Sequence, residues 1–145
     1  MANVIYRGPA AREPQTVNDC TVAGAYNPGI LVTSDGSALT VATASDQDER
    51  LYVLGNARYA GQDVATAYTS GDTGVAYVPE PGQRYQCRMA AATYAVGDAL
   101  MVGASGYLEA ATTGKPIFAF YEGTAGAVSA GALADVRIGD GVAKA

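Results

Sequence analysis

The stretch that decides the fold is Thr93–Gly123, which reads TYAVGDALMVGASGYLEAATTGKPIFAFYEG. It contains three apolar runs of strand length, each bounded by a glycine-containing turn signal: Ala99–Val102, Tyr107–Ala110 and Ile117–Tyr121. The four residues between the first two runs are too few for anything but a hairpin connection. No side chain in the stretch belongs to a catalytic or metal-binding pattern, so we interpret it as scaffold.

The rest of the chain repeats this pattern of short apolar runs and turns. The runs recur at about 8–12 residues, a spacing typical of a β-sandwich or barrel. The clearest alternation is Gln83–Met89, which places Tyr85, Cys87 and Met89 on one face and Arg84, Gln86 and Arg88 on the other. We therefore predict an all-β fold, a compact antiparallel β-sandwich or β-barrel-like domain of about nine to eleven short strands.

Length and composition restrict the class of protein. The chain has 145 residues, 18 of them glycine, and a net charge of −5. A single β-rich domain over residues 16–145 fits this length. Because the chain lacks a basic cluster, we expect no binding to nucleic acid. It also lacks an apolar run of about 18 residues and a signal peptide, so we expect no membrane partner and synthesis in the cytoplasm.

The residues that usually carry chemistry are scarce. There is no histidine, and no nucleophile elbow or phosphate-binding loop is present. Glu80, Glu109 and Glu122 could form a carboxylate pair only by chance, so we expect no enzyme activity, no catalytic residues, no metal and no cofactor. Cys20 and Cys87 are expected to be buried free thiols, with a disulfide as the alternative.

The two ends of the chain are predicted to lie outside the domain. Residues 1–15 are expected to form an extended N-terminal arm, because Gly8-Pro9 separates Val4–Arg7 from the residues after it. The apolar part of this arm could add a strand to a neighbouring subunit, the alternative being an inert tail. Residues 124–132 are expected to be a mobile or loop segment, and residues 139–145 to be a frayed tail.

A series of short motifs resembles the head decoration proteins of tailed bacteriophages, also called capsid cement proteins. The motifs, in order over roughly residues 27–138, are Asn27–Val32, Tyr68–Asp72, Val75–Val78, Gln83–Met89, Gly97–Leu100, Gly106–Leu108 and an apolar strand near Ile117. The resemblance implies a structural virion protein on the outer surface of an icosahedral head, where it clamps adjacent subunits of the major capsid protein. It also implies a homo-oligomer, with a trimer favoured and a dimer possible.

Seven residues are candidates for the capsid or subunit interface. Five lie in the N-terminal arm: Val4, Ile5, Tyr6, Arg7 and Arg12. The other two, Arg84 and Arg88, lie on the polar face of the alternating strand. An alternative function is a tail- or fibre-associated β module that binds a host-surface glycan. That function would need an exposed aromatic platform, which the ten tyrosines make conceivable, although we expect them to be mainly core and interface residues.

Overall fold

The computed structural model of the protein describes residues 4–145, and nearly all of its regular structure is β-strand. The strands are β1 (Tyr6–Gly8), β2 (Thr16–Val17), β3 (Thr21–Val22), β4 (Leu31–Ser34), β5 (Ala38–Val41), β6 (Tyr52–Gly55), β7 (Val75–Tyr77), β8 (Arg84–Arg88), β9 (Ala92–Tyr94), β10 (Ala99–Val102), β11 (Leu108–Ala110), β12 (Ala119–Tyr121), β13 (Gly126–Val128) and β14 (Leu133–Ile138). The helical segments among the described residues are 3-10 turns at Ala10–Arg12, Ala44–Asp46, Arg58–Ala60 and Ala104–Gly106.

The strands form two six-stranded sheets and a two-stranded ribbon. Sheet I has the order β1-β8-β14-β12-β10-β11, sheet II has the order β2-β7-β6-β4-β5-β3, and β13 pairs with β9 in the ribbon. All strand pairs are antiparallel except β3 with β5. The predicted all-β class is therefore confirmed. The strand count is higher than predicted, because strands of two or three residues leave no clear alternation in the sequence.

A first core fills the space between the two sheets. It is built from alternate residues of facing strands, almost fully excluded from solvent: Tyr85, Cys87, Val102 and Val136 from sheet I, and Leu31 and Val53 from sheet II. Full burial of such a side chain stabilises the fold by about 1.5–3 kcal/mol. The alternation predicted for Gln83–Met89 is thus what directs Tyr85 and Cys87 inward.

A second core lies on the other face of sheet II. Val32, Leu39 and Leu54 of the sheet pack there against Ile30 and Tyr68, which come from connecting segments. We call residues 23–30 and 56–74 the loop layer, because these two segments cover that face. The Tyr68 hydroxyl donates to the Gly55 carbonyl at 2.6 Å, which fixes the loop layer to β6. The central strands of sheet II, β4 and β6, are therefore largely buried on both faces.

The predicted hairpin between the first two apolar runs is present. β10 pairs with β11 in the register Leu100↔Ala110 and Val102↔Leu108, and residues 103–106 turn between them. Gly106 has a φ of +69°, and a Cβ on it would lie 2.6 Å from the Leu31 carbonyl oxygen. The connection needs glycine at this position for its left-handed backbone and for its close approach to β4.

Both cysteines are buried free thiols, as predicted. Cys87 lies in the first core and Cys20 in the second. Burial raises the pKa of the Cys87 thiol, which keeps it protonated and unreactive.

The N-terminal prediction is wrong for the part of the arm that the structure describes. Ile5 is fully buried in the first core, and the Gln86 amide donates to the Ile5 carbonyl at 2.7 Å. β1 is an edge strand of sheet I in the same chain, with Tyr6 opposite Tyr85. Gly8-Pro9 does not uncouple it, because the Tyr6 hydroxyl donates to the Pro9 carbonyl at 2.5 Å and lies 3.0 Å from the Arg12 carbonyl, which joins β1 to the residues after it. Residues 1–3 lie outside the described residues.

Two further segments are more ordered than the sequence predicts. Gly126–Val128, within the stretch expected to be a mobile or loop segment, forms β13 and pairs with β9. The expected frayed tail packs against residues 114–117: the Ile117 amide donates to the Val142 carbonyl at 3.0 Å, and the Gly114 amide to the Lys144 carbonyl at 2.8 Å. Main-chain pairing holds both segments, so their small or mixed side chains gave little signal.

The placement of β1 leads to a test of stability. Truncating Ile5 to alanine removes a buried side chain, and we expect it to lower the free energy of unfolding by about 2–4 kcal/mol. Val96→Ala is the control, because Val96 is 67 % exposed and its truncation should change stability by less than about 0.5 kcal/mol. Urea unfolding followed by circular dichroism measures both. Equal unfolding midpoints for the two variants would mean that β1 is not part of the core.

Candidate functional site

The outer face of sheet I carries a group of charged side chains, which strand alternation brings together. In β8, Tyr85 points inward and Arg84 and Gln86 point outward; in β14, Val136 is buried and its neighbours turn outward. The pairing register sets Asp135 opposite Gln86 and Arg137 opposite Arg84. We call Arg7, Arg84, Gln86, Glu122, Asp135 and Arg137 the charged face.

Ion pairs link the charged face across three strands and the residue after β12. Arg84 Nη2 lies 3.2 Å from Asp135 Oδ2, and Arg84 Nε lies 3.4 Å from Glu122 Oε1. Arg137 donates to both oxygens of Glu122, with Nη2 at 3.1 Å from Oε1. Arg7 Nη1 lies 3.7 Å from Asp135 Oδ1. Three guanidinium groups thus face two carboxylates, which leaves one positive charge in excess on a chain whose net charge is −5.

The bidentate ion pair between Arg137 and Glu122 shifts the pKa values of both residues. The hydrogen bonds from Arg137 hold the pKa of Glu122 below its ordinary value, and the same contact raises the pKa of Arg137. Glu122 is therefore an anion at neutral pH. A carboxylate with a lowered pKa is unsuited to donate a proton, as an acid catalyst must.

The hydrogen bonding of the charged face is incomplete. Gln86 Oε1, Arg84 Nε and Asp135 Oδ1 are shielded from solvent, and none has a hydrogen-bond partner among the described residues. The last two are within ion-pair distance of opposite charges, but their geometry does not make a hydrogen bond. Such groups are rare in the interior of a folded protein and indicate a place that water or a bound partner completes.

A surface cleft runs beside the charged face. Its volume is about 680 Å³. Arg7, Gln86 and Asp135 line one side, and small residues of the segment 123–129, which includes β13, line the other. The cleft has room for an extended segment of another protein, with a charged wall on one side only.

The predicted interface residues divide into two groups. Arg7 and Arg84 lie on the charged face, and Arg12 is exposed beside Glu80, 3.6 Å from its carboxylate. Ile5 is fully buried, so it is corrected from an interface residue to a core residue. Tyr6 is half-buried against the first core, with its ring 5.3 Å from the Tyr85 ring, and Val4 is half-buried ahead of β1.

Arg88 is also corrected, from interface to internal support. Its Nε donates to the Pro28 carbonyl at 2.7 Å, its Nη1 to Gly131 at 2.8 Å and its Nη2 to Val64 at 2.7 Å. One guanidinium thus ties sheet I to the loop layer and to the turn before β14, and three of its five N–H groups donate within the chain.

Sequence reasoning missed the acidic half of the charged face. Asp135 and Glu122 are distant from Arg84 in sequence, and only the β8–β14 and β12–β14 registers bring them together. The available signal was the outward position of Asp135 and Arg137 in an alternating strand. That pattern assigns a face to each residue, but it does not identify the neighbouring strand.

Neither a metal cluster nor a membrane-spanning helix is found in the described part of the chain. Within residues 4–145, no group of three or more histidine, cysteine or acidic residues is arranged to hold a metal ion. No helix in the same range has the length and hydropathy needed to cross a bilayer.

Comparison with known proteins leaves the chain without a family assignment. No model of a known protein family matches it, and the search of curated proteins also found no match.

The Glu122 pair makes a prediction about pH. Because the pKa of Glu122 is lower in the folded protein than in the unfolded chain, its contribution to stability is present above the unfolded pKa and is lost as the pH falls through the folded pKa. At pH 7 we expect Glu122→Gln to lower the free energy of unfolding by about 0.5–1 kcal/mol, since the pair is partly exposed. The difference from the parent should shrink toward zero as the pH falls below about 4.

Urea unfolding at a series of pH values measures this difference. Glu49→Gln is the control, because Glu49 is exposed and has no ion pair among the described residues. A Glu122→Gln variant that keeps the parent's stability at pH 7 would show that the pair does not stabilise the fold.

Proposed function

We propose that the protein is a structural virion component that binds the outer surface of a bacteriophage icosahedral head and stabilises it by clamping adjacent major capsid protein subunits. Two kinds of observation support this function. The order of its turn motifs resembles head decoration proteins, and its β-sandwich provides the rigid scaffold that such a role requires. The observation that carries the proposal is the cleft beside the charged face.

The charged face provides the chemistry for such a contact. It has one positive charge in excess, so it is complementary to an acidic segment of the capsid surface. The side chains of its five charged residues are between 22 % and 43 % exposed. Arg7 and Asp135 line the cleft, so a partner bound there would remove water from them and strengthen their interactions. The major capsid protein is the partner, and a segment of it lies in the cleft between the charged face and residues 123–129.

The protein is proposed to act as a homo-oligomer, with a trimer favoured. The resemblance to decoration proteins supports this state, as does the gain in avidity when several weak contacts act together. The exposed sheet edges give less support for an oligomer. The edge strands β1, β2, β3 and β11 have only two or three residues each, and such short edges already limit pairing with another chain.

The test is binding to undecorated expanded heads built from the major capsid protein of the same virus. The parent protein should bind at saturable sites in a fixed ratio to capsid subunits, and binding should weaken with salt. Arg7→Glu reverses one charge at the cleft, and we expect about tenfold weaker binding. Arg58→Glu is the matched control: the same charge change on an exposed residue of the loop layer should leave binding unchanged.

Two results would contradict the proposal. Failure of the parent protein to bind these heads would reject the function. Equal binding by the Arg7→Glu and Arg58→Glu variants, with both shown to be folded by circular dichroism, would reject the charged face as the contact. Immunogold labelling distinguishes this function from the alternative. A head decoration protein would be labelled on heads, whereas a tail- or fibre-associated glycan-binding module would be labelled on tails alone.

A further inference from the structure

Tyr59 differs from every other tyrosine in the chain. The other nine are buried or half-buried, whereas Tyr59 is 74 % exposed. Tyr59 lies in the 3-10 turn Arg58–Ala60 of the loop layer. No core contact explains an aromatic ring at this position, and an exposed ring of this kind is typical of a binding surface.

The backbone that carries Tyr59 is held rigidly. Gln62 Oε1 accepts a hydrogen bond from the Ala57 amide at 2.7 Å, and Gln62 Nε2 donates to the Thr66 carbonyl at 2.8 Å. The Asn56 side chain donates to the Gln62 carbonyl at 2.8 Å. The ring is therefore presented by a braced turn, so a ligand that uses it would not have to order the loop first.

A cleft of about 580 Å³ opens beside this ring. Its lining includes Tyr59, Tyr68, Asp72 and Thr73. Asp72 Oδ2 accepts from the Thr69 amide at 2.9 Å, which fixes the carboxylate. Asp72 Oδ1, the Thr73 hydroxyl and the Tyr59 hydroxyl have no hydrogen-bond partner among the described residues. The cleft thus combines an aromatic wall with free polar groups on a fixed frame.

This combination matches the chemistry of a sugar. A pyranose ring presents C–H groups on one face and hydroxyl groups around its rim. The C–H face packs on an aromatic ring, and a fixed carboxylate oxygen accepts hydrogen bonds from the hydroxyls. A carboxylate in the cleft of a chain with net charge −5 repels an anionic sugar. We propose that the Tyr59 cleft binds a neutral glycan.

The position of the cleft is compatible with the charged face serving another partner. Residues 57–73 of the loop layer line the Tyr59 cleft, while the charged face is built from β1, β8, β14 and the residue after β12. The two surfaces are therefore formed by different segments and share no residue. Glycan binding is a property of the free protein and does not depend on the proposed attachment to heads.

The test is titration calorimetry of the free protein with three neutral oligosaccharides: chitopentaose, cellopentaose and maltopentaose. We expect saturable binding of at least one, with a Kd of about 0.1–1 mM. Tyr59→Ala should weaken that binding by about tenfold or more, and Tyr59→Phe, which keeps the ring, by less than about threefold. Val96→Ala removes an exposed apolar side chain elsewhere and should leave the Kd unchanged.

Three results would overturn the proposal. One is the absence of saturable binding to all three sugars, and another is binding that survives Tyr59→Ala. The third is equal or tighter binding of the anionic sugar 3′-sialyllactose, which would reject the neutral class. Loss of head binding in Tyr59→Ala without any glycan binding would instead identify Tyr59 as a protein contact.

Discussion

The antiparallel pairing of β8 with β14 is the interaction on which the rest of the structure depends. It is the longest register in the molecule, running from Leu133↔Arg88 to Arg137↔Arg84. On one side, these two strands direct Tyr85, Cys87 and Val136 into the core, and on the other they build the charged face. Because side chains alternate, a shift of one residue in one strand would turn its apolar residues to solvent and its charged residues into the core. The core and the candidate interface are therefore fixed by the same hydrogen-bond ladder.

The sequence predicts the features that depend on a local period. Alternation in Gln83–Met89 and turn signals around residues 103–106 led to the correct class, the inward position of Cys87 and the β10–β11 hairpin. Features that depend on distant pairing were not predictable in this way. Ile5 is buried because β1 pairs with β8, which lies far along the chain, and no local pattern indicates that partner. Gly126–Val128 has side chains too small to mark a strand, and only its pairing with β9 makes it one.

The candidate site shows the same division. Alternation correctly assigns Arg84 to the outer face, but its contacts with Asp135 and Glu122 require the register of two other strand pairs. Arg88 has the same parity in the same strand, yet three of its donors are used by carbonyls of the loop layer and of Gly131. The difference arises because the end of β8 packs against these segments. Alternation along one strand does not indicate which other segments contact it.

The motifs behind the resemblance to decoration proteins serve the fold. Within Tyr68–Asp72, the tyrosine hydroxyl bonds to Gly55 and the aspartate accepts from the Thr69 amide. Asp98, in the Gly97–Leu100 motif, likewise accepts from the Ala95 amide at 2.8 Å. These two aspartates stabilise turns. Other residues of the same motifs also contribute to the candidate surfaces, since Arg84 and Gln86 belong to the charged face and Tyr68 and Asp72 line the Tyr59 cleft. The charged face and the Tyr59 cleft are therefore where the function of this chain has to be tested.

Cryo-electron microscopy of heads incubated with the protein tests the central claim most directly. The proposal predicts density for the β-sandwich on the outer capsid surface, with sheet I toward the shell. Arg7 and Asp135 should lie within about 4 Å of the major capsid protein. Density with the charged face turned to solvent, or on the tail instead of the head, would contradict it.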